Sequence, residues 1–259
     1  MKIKMILTGS ILLSLLSINS VNANNINEKC YNYYTAQEIE YIIRESDPND
    51  LDLTCSNGTI YTSQKNYDDL HLNENVPMPT YFTAQLNVPT FKQEENYYCG
   101  YASVKEVLQH INGTSKSQST YASEMGTSGS SAVVYKIKNL LNNYISSPKY
   151  TYSLGRNYTL DTFKSLVENN IANNRPIIMH AKANYLTLYQ NASFDIWHYY
   201  VIDGHTITGN EDNVKYIYYV DSWEANYGSG NTLGSHQDLT INALNSVQTT
   251  ESSRYIIHS

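Results

Sequence analysis

Gln93-Glu94-Glu95-Asn96-Tyr97-Tyr98-Cys99-Gly100-Tyr101-Ala102-Ser103 places a side-chain amide six residues before a cysteine. Val104, Val107, Leu108 and Ile111 follow at helical spacing and Gly113 stands where a helix would stop, so Cys99 is predicted to open a helix. Free backbone N–H groups and partial positive charge at a helix start favour thiolate over thiol, which suits a cysteine nucleophile. Gln93 is placed to offer an amide donor to an oxyanion. For an arbitrary cysteine the ordinary expectation is a buried apolar filler. The helix start, the glutamine and the partners described next shift the balance toward chemistry.

A cysteine nucleophile needs a base to take and return a proton, and the base needs a partner that fixes its orientation. Two strand-borne histidines qualify: His198 in Trp197-His198-Tyr199-Tyr200-Val201-Ile202, and His205 in Asp203-Gly204-His205. If the β-rich runs 194–208 and 214–223 form a hairpin closed at Gly209-Asn210, Thr208 faces Glu211 and His198 faces Asp221. Directly opposed side chains share a sheet face about 5 Å apart, close enough for an imidazole–carboxylate bond. In that register His205 faces Val214 and, seven residues from His198, points to the other side. A longer loop taking in Glu211, Asp212 and Asn213 would change the register, and a one-residue slip would exchange the faces. Trp223, two residues past Asp221, either covers the His–Asp pair from water or belongs to the core.

These candidates sit in a chain that begins with Met1-Lys2-Ile3-Lys4, a run rich in Leu and Ile from Met5 to Ile18, and Val21-Asn22-Ala23. That is the form of a secretory signal peptide, residues 1–23, so the mature protein is expected to be secreted or periplasmic, without membrane insertion. Loss of Lys2 and Lys4 leaves 15 basic residues against 24 acidic, a net charge of −9. Such a surface argues against nucleic acid or anionic membrane as a partner. Three cysteines leave one thiol over after a single pairing. Cys30 and Cys55 share a polar N-terminal segment and the compartment permits their bond, which leaves Cys99 as the odd thiol. No paired CxxC or HExxH spacing is present, so neither a metal nor another cofactor is expected. Tyrosine is frequent at 25 residues, many of them in the β-rich runs, where they suit a half-solvated sheet face.

Residues 24–80 read as an N-terminal extension or propeptide-like segment, with a short helix near Thr35 to Arg44 and an extended linker at Val76 to Thr80. Residues 81–259 read as the main domain. Leu86-Asn87-Val88-Pro89 is strand-like; Ser117 to Met125 and Ser130 to Tyr144 are predicted helices. Leu160 to Asn170 is a third, broken by Arg175-Pro176 before a strand at Ile177 to His180. Helices first and an antiparallel sheet after make an α+β plan.

In order along the chain come Leu86-Asn87-Val88-Pro89, Gln93, Cys99-Gly100-x-Ala102-Ser103, Ser117-Gln118 with Ala122 and Met125-Gly126-Thr127, Arg175-Pro176-Ile177-Ile178, Trp197-His198-Tyr199 with Gly204, and Tyr219-Val220-Asp221-Ser222-Trp223. Over about residues 85 to 235 this pattern resembles the secreted, stand-alone branch of the double-glycine (bacteriocin-processing) endopeptidase-like family of papain-fold cysteine peptidases. The resemblance implies a papain-like fold with Cys99 as nucleophile, His198 as base, Asp221 as its orienting partner and Gln93 as oxyanion donor, acting on a peptide or protein substrate. Tyr101 stands where the family's Cys-Gly-Pro-Ala signature has proline, and Ser222 where an Asp-Pro is common; neither change removes a reacting group. Members that trim double-glycine leaders are fused to a membrane exporter, and an export signal argues against that substrate here. The same triad serves an acyltransferase of transpeptidase or transglutaminase type, or a peptidoglycan amidase. A non-catalytic secreted binding module would keep the fold and leave Cys99 unreactive.

Overall fold

The structure is a computed structural model of the chain, and it describes residues 44–45, 54–56, 59–61, 81–208, 214–248 and 254–259. The chain divides into two units, 1–72 and 73–259. In the first, β1 (Thr54–Ser56) and β2 (Thr59–Tyr61) form an antiparallel pair with Cys55 opposite Ile60. The expected Cys30–Cys55 bond, the signal segment, the helix near Thr35 and the linker at Val76 to Thr80 lie outside the described residues.

The second unit is built on a mixed-length antiparallel sheet in the order β4-β9-β5-β6-β7-β8, with β3 also paired to β6. Its strands are β3 (Tyr81–Gln85), β4 (Thr151–Leu154), β5 (Ile177–Lys182), β6 (Trp197–Thr208), β7 (Val214–Asp221), β8 (Gly234–Leu239) and β9 (Tyr255–His258). β6 is the spine. β5 pairs with its first half and β3 with its second half, both antiparallel, while β7 runs along it from Val201 to Ile207. Leu86 to Pro89, read from sequence as strand-like, falls just after β3. Asn87 there adopts a left-handed φ of 55°, which asparagine tolerates and which ends the strand.

Among the described residues of this unit are the helices α1 (Cys99–Asn112), α2 (Gln118–Glu124), α3 (Val134–Tyr144), α4 (Leu160–Ala172) and α5 (Thr240–Val247). Their ends have local causes. Gly113 takes φ 69° and returns its N–H to the Gln109 carbonyl, closing α1 where a side chain with a Cβ would be strained. Ser117 caps α2 by accepting the Thr120 N–H, and Thr159 and Thr162 form a reciprocal capping box on α4. Phe163, Leu166, Val167 and Ile171 of α4, with Ala243, Leu244 and Val247 of α5, pack on Ile177, Met179, Tyr200, Ile202, Ile217 and Tyr219 of the sheet. The opposite face, through Tyr199, meets Gly100 of α1 and donates to the Ala132 carbonyl ahead of α3. Helices therefore flank both faces of an antiparallel sheet, the α+β plan read from the sequence.

Gly204 is where β3 comes closest to β6. A Cβ there would lie 2.6 Å from the Ala84 carbonyl oxygen and 3.0 Å from the Gln85 Cα, backbone atoms that cannot swing aside. Gly204→Ala is expected to lower stability by about 1–3 kcal/mol through overpacking at this strand pair. Chemical denaturation checks it, and an unchanged midpoint would show that β3 is not held this tightly.

Candidate active site

Cys99 is the first residue of α1 and is buried, and among the described residues it is a free thiol. Tyr98 caps the helix without a side-chain acceptor and the first turn carries no acidic residue, so no side-chain cap takes up the first N–H groups of the helix. The first turn is fixed from the side by Tyr101, at the position of the family's proline. Its buried hydroxyl bonds within the Thr127–Ser130 turn, 2.8 Å from Thr127 Oγ1 and 2.9 Å from the Ser130 carbonyl.

His198 lies at the start of β6 and is buried; its Nε2 donates to Asp221 Oδ1 at 2.8 Å. The expected register is off by two residues. Val201 pairs with Val220 and Ile202 with Tyr219, so Asp221 falls level with Tyr200 and meets His198 on the diagonal. The hairpin is longer than a two-residue loop allows, since Ile207 pairs with Val214 and 209–213 connect the strands. A slip of two preserves the face, which is why the two side chains still meet.

The same register corrects the reading of His205. Ile202 pairs with Tyr219 and His205 with Ile217, because a bulge around Asp203 inserts one residue in β6. His205 therefore shares the face of His198 instead of pointing away from it. What separates the two is length, seven residues or about 20 Å of strand. Burial pushes the His205 imidazole down to about 4, so it is neutral at ordinary pH.

Asp221 is fully buried and its two oxygens accept three hydrogen bonds. Oδ1 accepts from His198 and from the Trp223 N–H at 2.9 Å, and Oδ2 accepts from the Tyr189 hydroxyl at 2.6 Å. A buried carboxylate is tolerable when it is paired and hydrogen-bonded in this way. Trp223 and Tyr189 stack at 6.1 Å and lie 5.9 and 6.0 Å from the His198 ring, closing the pair off from water. Burial alone would lower the His198 pKa. The Asp221 charge and hydrogen bond, with the hydrogen bond and charge of Cys99, outweigh it and raise the imidazole to about 10. Asp221 holds Nε2, so Nδ1 is the nitrogen left for the sulfur.

Gln93 sits in the loop before α1, and the backbone of that lead-in is tied at five N–H groups. Leu86 donates to the Asp203 carbonyl, Val88 to Asp203 Oδ2, Phe91 to Glu106 Oε1, Gln93 to the Ser222 carbonyl and Glu94 to Gln118 Oε1. The bond to Ser222, at 2.8 Å, fixes the Gln93 loop beside the residue that follows Asp221. Sequence reasoning did not single out Tyr189, Glu106 or Gln118 for the site. Tyr189 is one of many tyrosines, in a short 3-10 turn, and Glu106 and Gln118 look like polar helix residues until the tertiary fold buries them. The signals available were Glu106's spacing of seven from Cys99, two turns along the same helix face, and the place of Gln118 in the Ser117-Gln118 pair of the family pattern. Among the described residues, no group of three or more His, Cys, Asp or Glu side chains is arranged to hold a metal ion.

A buried cysteine at a helix start, a histidine on the spine strand of an antiparallel sheet and a carboxylate on the neighbouring strand make the architecture that of a papain-like cysteine hydrolase. The chain belongs to the Peptidase_C39 like family, whose model matches residues 85–238, and is a cysteine peptidase-like hydrolase. No curated protein matches it. Solved structures similar to it include a double glycine motif protease from an AMS/PCAT transporter in complex with the leader peptide, at 17% identity over 68% of this chain and 92% of that one, TM-score 0.42. Others are a putative C39-like peptidase from Bacillus anthracis (15%, 69% and 98%, TM-score 0.44) and the bromelain protease from Ananas comosus in complex with the E64 inhibitor (12%, 69% and 98%, TM-score 0.40).

Proposed function

We propose that the protein is an exported cysteine peptidase that cleaves peptide bonds with Cys99, His198, Asp221 and Gln93. The observation that carries this reading is the 2.8 Å bond between buried His198 and buried Asp221, and it is supported by a buried free thiol, Cys99, at the start of α1. The Cys99 thiolate attacks the scissile carbonyl carbon, and the C=O electron pair moves to oxygen, where the Gln93 amide and the Cys99 N–H stabilise it. Collapse breaks the C–N bond, and the amine leaves with the proton held on His198. The thioester is then attacked by water, whose proton His198 takes, releasing the acid and restoring the thiolate. Asp221 keeps the imidazolium oriented throughout, and the Tyr189 hydroxyl holds Asp221. Export rests on the N-terminal segment, Lys2 and Lys4 ahead of an apolar run and Val21-Asn22-Ala23.

The test is incubation with an unstructured protein, reading new α-amino ends by mass spectrometry with and without an added amine nucleophile. Hydrolysis yields free carboxyl ends; predominant capture of the acyl group by the amine would make it an acyltransferase. No new ends at all, with Cys99 intact, would refute a peptidase. Gln93→Ala is expected to lower kcat about 10²-fold, the usual cost of removing one oxyanion donor.

A further inference from the structure

The Gln93 side chain can stabilise an oxyanion only if its loop is held in place. Among the described residues its Oε1 is buried with no hydrogen-bond donor. The loop is instead held by a neighbouring helix. Gln118 is the first residue of α2 and is 1% exposed, so it is not an ordinary surface amide. Its Nε2 donates to the Lys92 carbonyl at 2.8 Å and its Oε1 accepts from the Glu94 N–H at 3.0 Å. The two bonds therefore land on the peptide groups either side of Gln93. The polarity of the backbone fixes the amide's orientation, because a carbonyl only accepts and an N–H only donates. From the nucleophile helix, buried Glu106 takes the Phe91 N–H at 3.0 Å, and the Gln93 N–H goes to Ser222. Burial pushes the Glu106 carboxyl well above the usual range, the Phe91 N–H opposing it, so this anchor favours the neutral acid.

We propose that Gln118 is a positioning residue for catalysis: by clamping Lys92 and Glu94 it fixes where the Gln93 amide stands relative to the carbonyl attacked by Cys99. This deepens the reading of the site as a cysteine peptidase and rests on it. Gln118 touches neither substrate nor sulfur; it acts through the loop. A donor displaced by about 1 Å can cost of order 10²-fold, so a loosened loop is visible in turnover while substrate binding is largely kept.

The experiment compares peptide turnover with alkylation of Cys99 by iodoacetamide, in the full chain. Alkylation displaces iodide from carbon and develops no oxyanion, so it reads the Cys99–His198 pair without the loop. Gln118→Ala is expected to lower kcat about 10- to 100-fold with KM within about twofold, leaving the alkylation rate unchanged. Gln118→Glu, similar in size, keeps the acceptor for Glu94 and loses the donor to Lys92. It should fall between wild type and Gln118→Ala, and it supplies the test should the alanine variant not fold. In a Gln93→Ala background, Gln118→Ala should add little, since the group it positions is already gone. Full turnover in a folded Gln118 variant, equal losses of turnover and alkylation, or additive losses in the Gln93→Ala background would each overturn the proposal. A wild-type protein that depends on Cys99 and Gln93 but ignores Gln118 refutes the clamp alone. One whose Cys99 is unreactive and cleaves nothing refutes the peptidase reading as well.

Discussion

Cys99→Ala is expected to abolish peptide cleavage, a loss of at least about 10⁴-fold, and His198→Ala to cost nearly as much. The two residues act as one unit, so the double variant should be hardly worse than either single one. The cause is chemical and not structural. In the proposed mechanism Cys99 is the side chain that bonds to the substrate, and His198 delivers the proton to the leaving amine. Removing Sγ also leaves little space behind at the start of α1, so Cys99→Ala should unfold at a denaturant concentration close to that of the wild type. A variant that loses activity together with its fold would point to packing at this position instead. The comparison of turnover with denaturation midpoint, on the same preparations, separates the two.

Asp221→Asn carries the second large effect, expected at about 10²- to 10⁴-fold in kcat. Asparagine fills the same space, but its amide cannot accept from His198, Trp223 and Tyr189 in the way a carboxylate does. The pH dependence gives the sharper reading. In the wild type, burial opposes the charge on His198, and Asp221 with Cys99 overcomes it, placing the imidazolium near 10. The alkaline limb of kcat/KM should fall there. Without the carboxylate the burial cost is left with less to oppose it, so in Asp221→Asn the limb should move to lower pH. Stability follows the same sign. The folded pKa of His198 lies above its unfolded value, so this pair's contribution is fully present below about 6.5, the ordinary histidine value, and is lost as pH rises through about 10. The denaturation midpoint of the wild type should therefore approach that of Asp221→Asn on the alkaline side. Identical alkaline limbs in the two proteins would show that Asp221 does not set the charge of His198.

Much of this architecture is legible in the residues, because apolar spacing reports burial directly. The tyrosines of the β-rich runs are a correction: expected at a half-solvated face, Tyr199, Tyr200 and Tyr219 are buried. Val104, Val107 and Leu108 with Gly113 define α1, Ser117 marks the start of α2, and Leu160 begins α4. The long runs become β6 and β7. The short strands are another matter. β4 and β9 have four residues each, and β8, Gly-Ser-His-Gln-Asp-Leu, presents no apolar alternation because it is an edge with alternate residues exposed. The meeting of His198 with Asp221 could be read from strand ends alone, yet not its register. β6 pairs Ile207 with Val214 and the bulge at Asp203 inserts a residue, neither of which apolar pattern reports. That bulge also reverses the reading of His205. Glu106 and Gln118 are hidden for a different reason: what they bind is backbone brought to them by the tertiary fold, and backbone leaves no mark in a sequence.

The most direct measurement is the rate at which iodoacetamide alkylates Cys99 at pH 6, followed on the peptide that carries it, in the wild type and in His198→Ala. A thiolate held by an imidazolium should react faster than the thiol of a short peptide with the same local sequence, and His198→Ala should slow it at least about tenfold. Equal rates in the wild type, the variant and the free peptide would contradict a Cys99–His198 pair and, with it, a cysteine peptidase built on these residues.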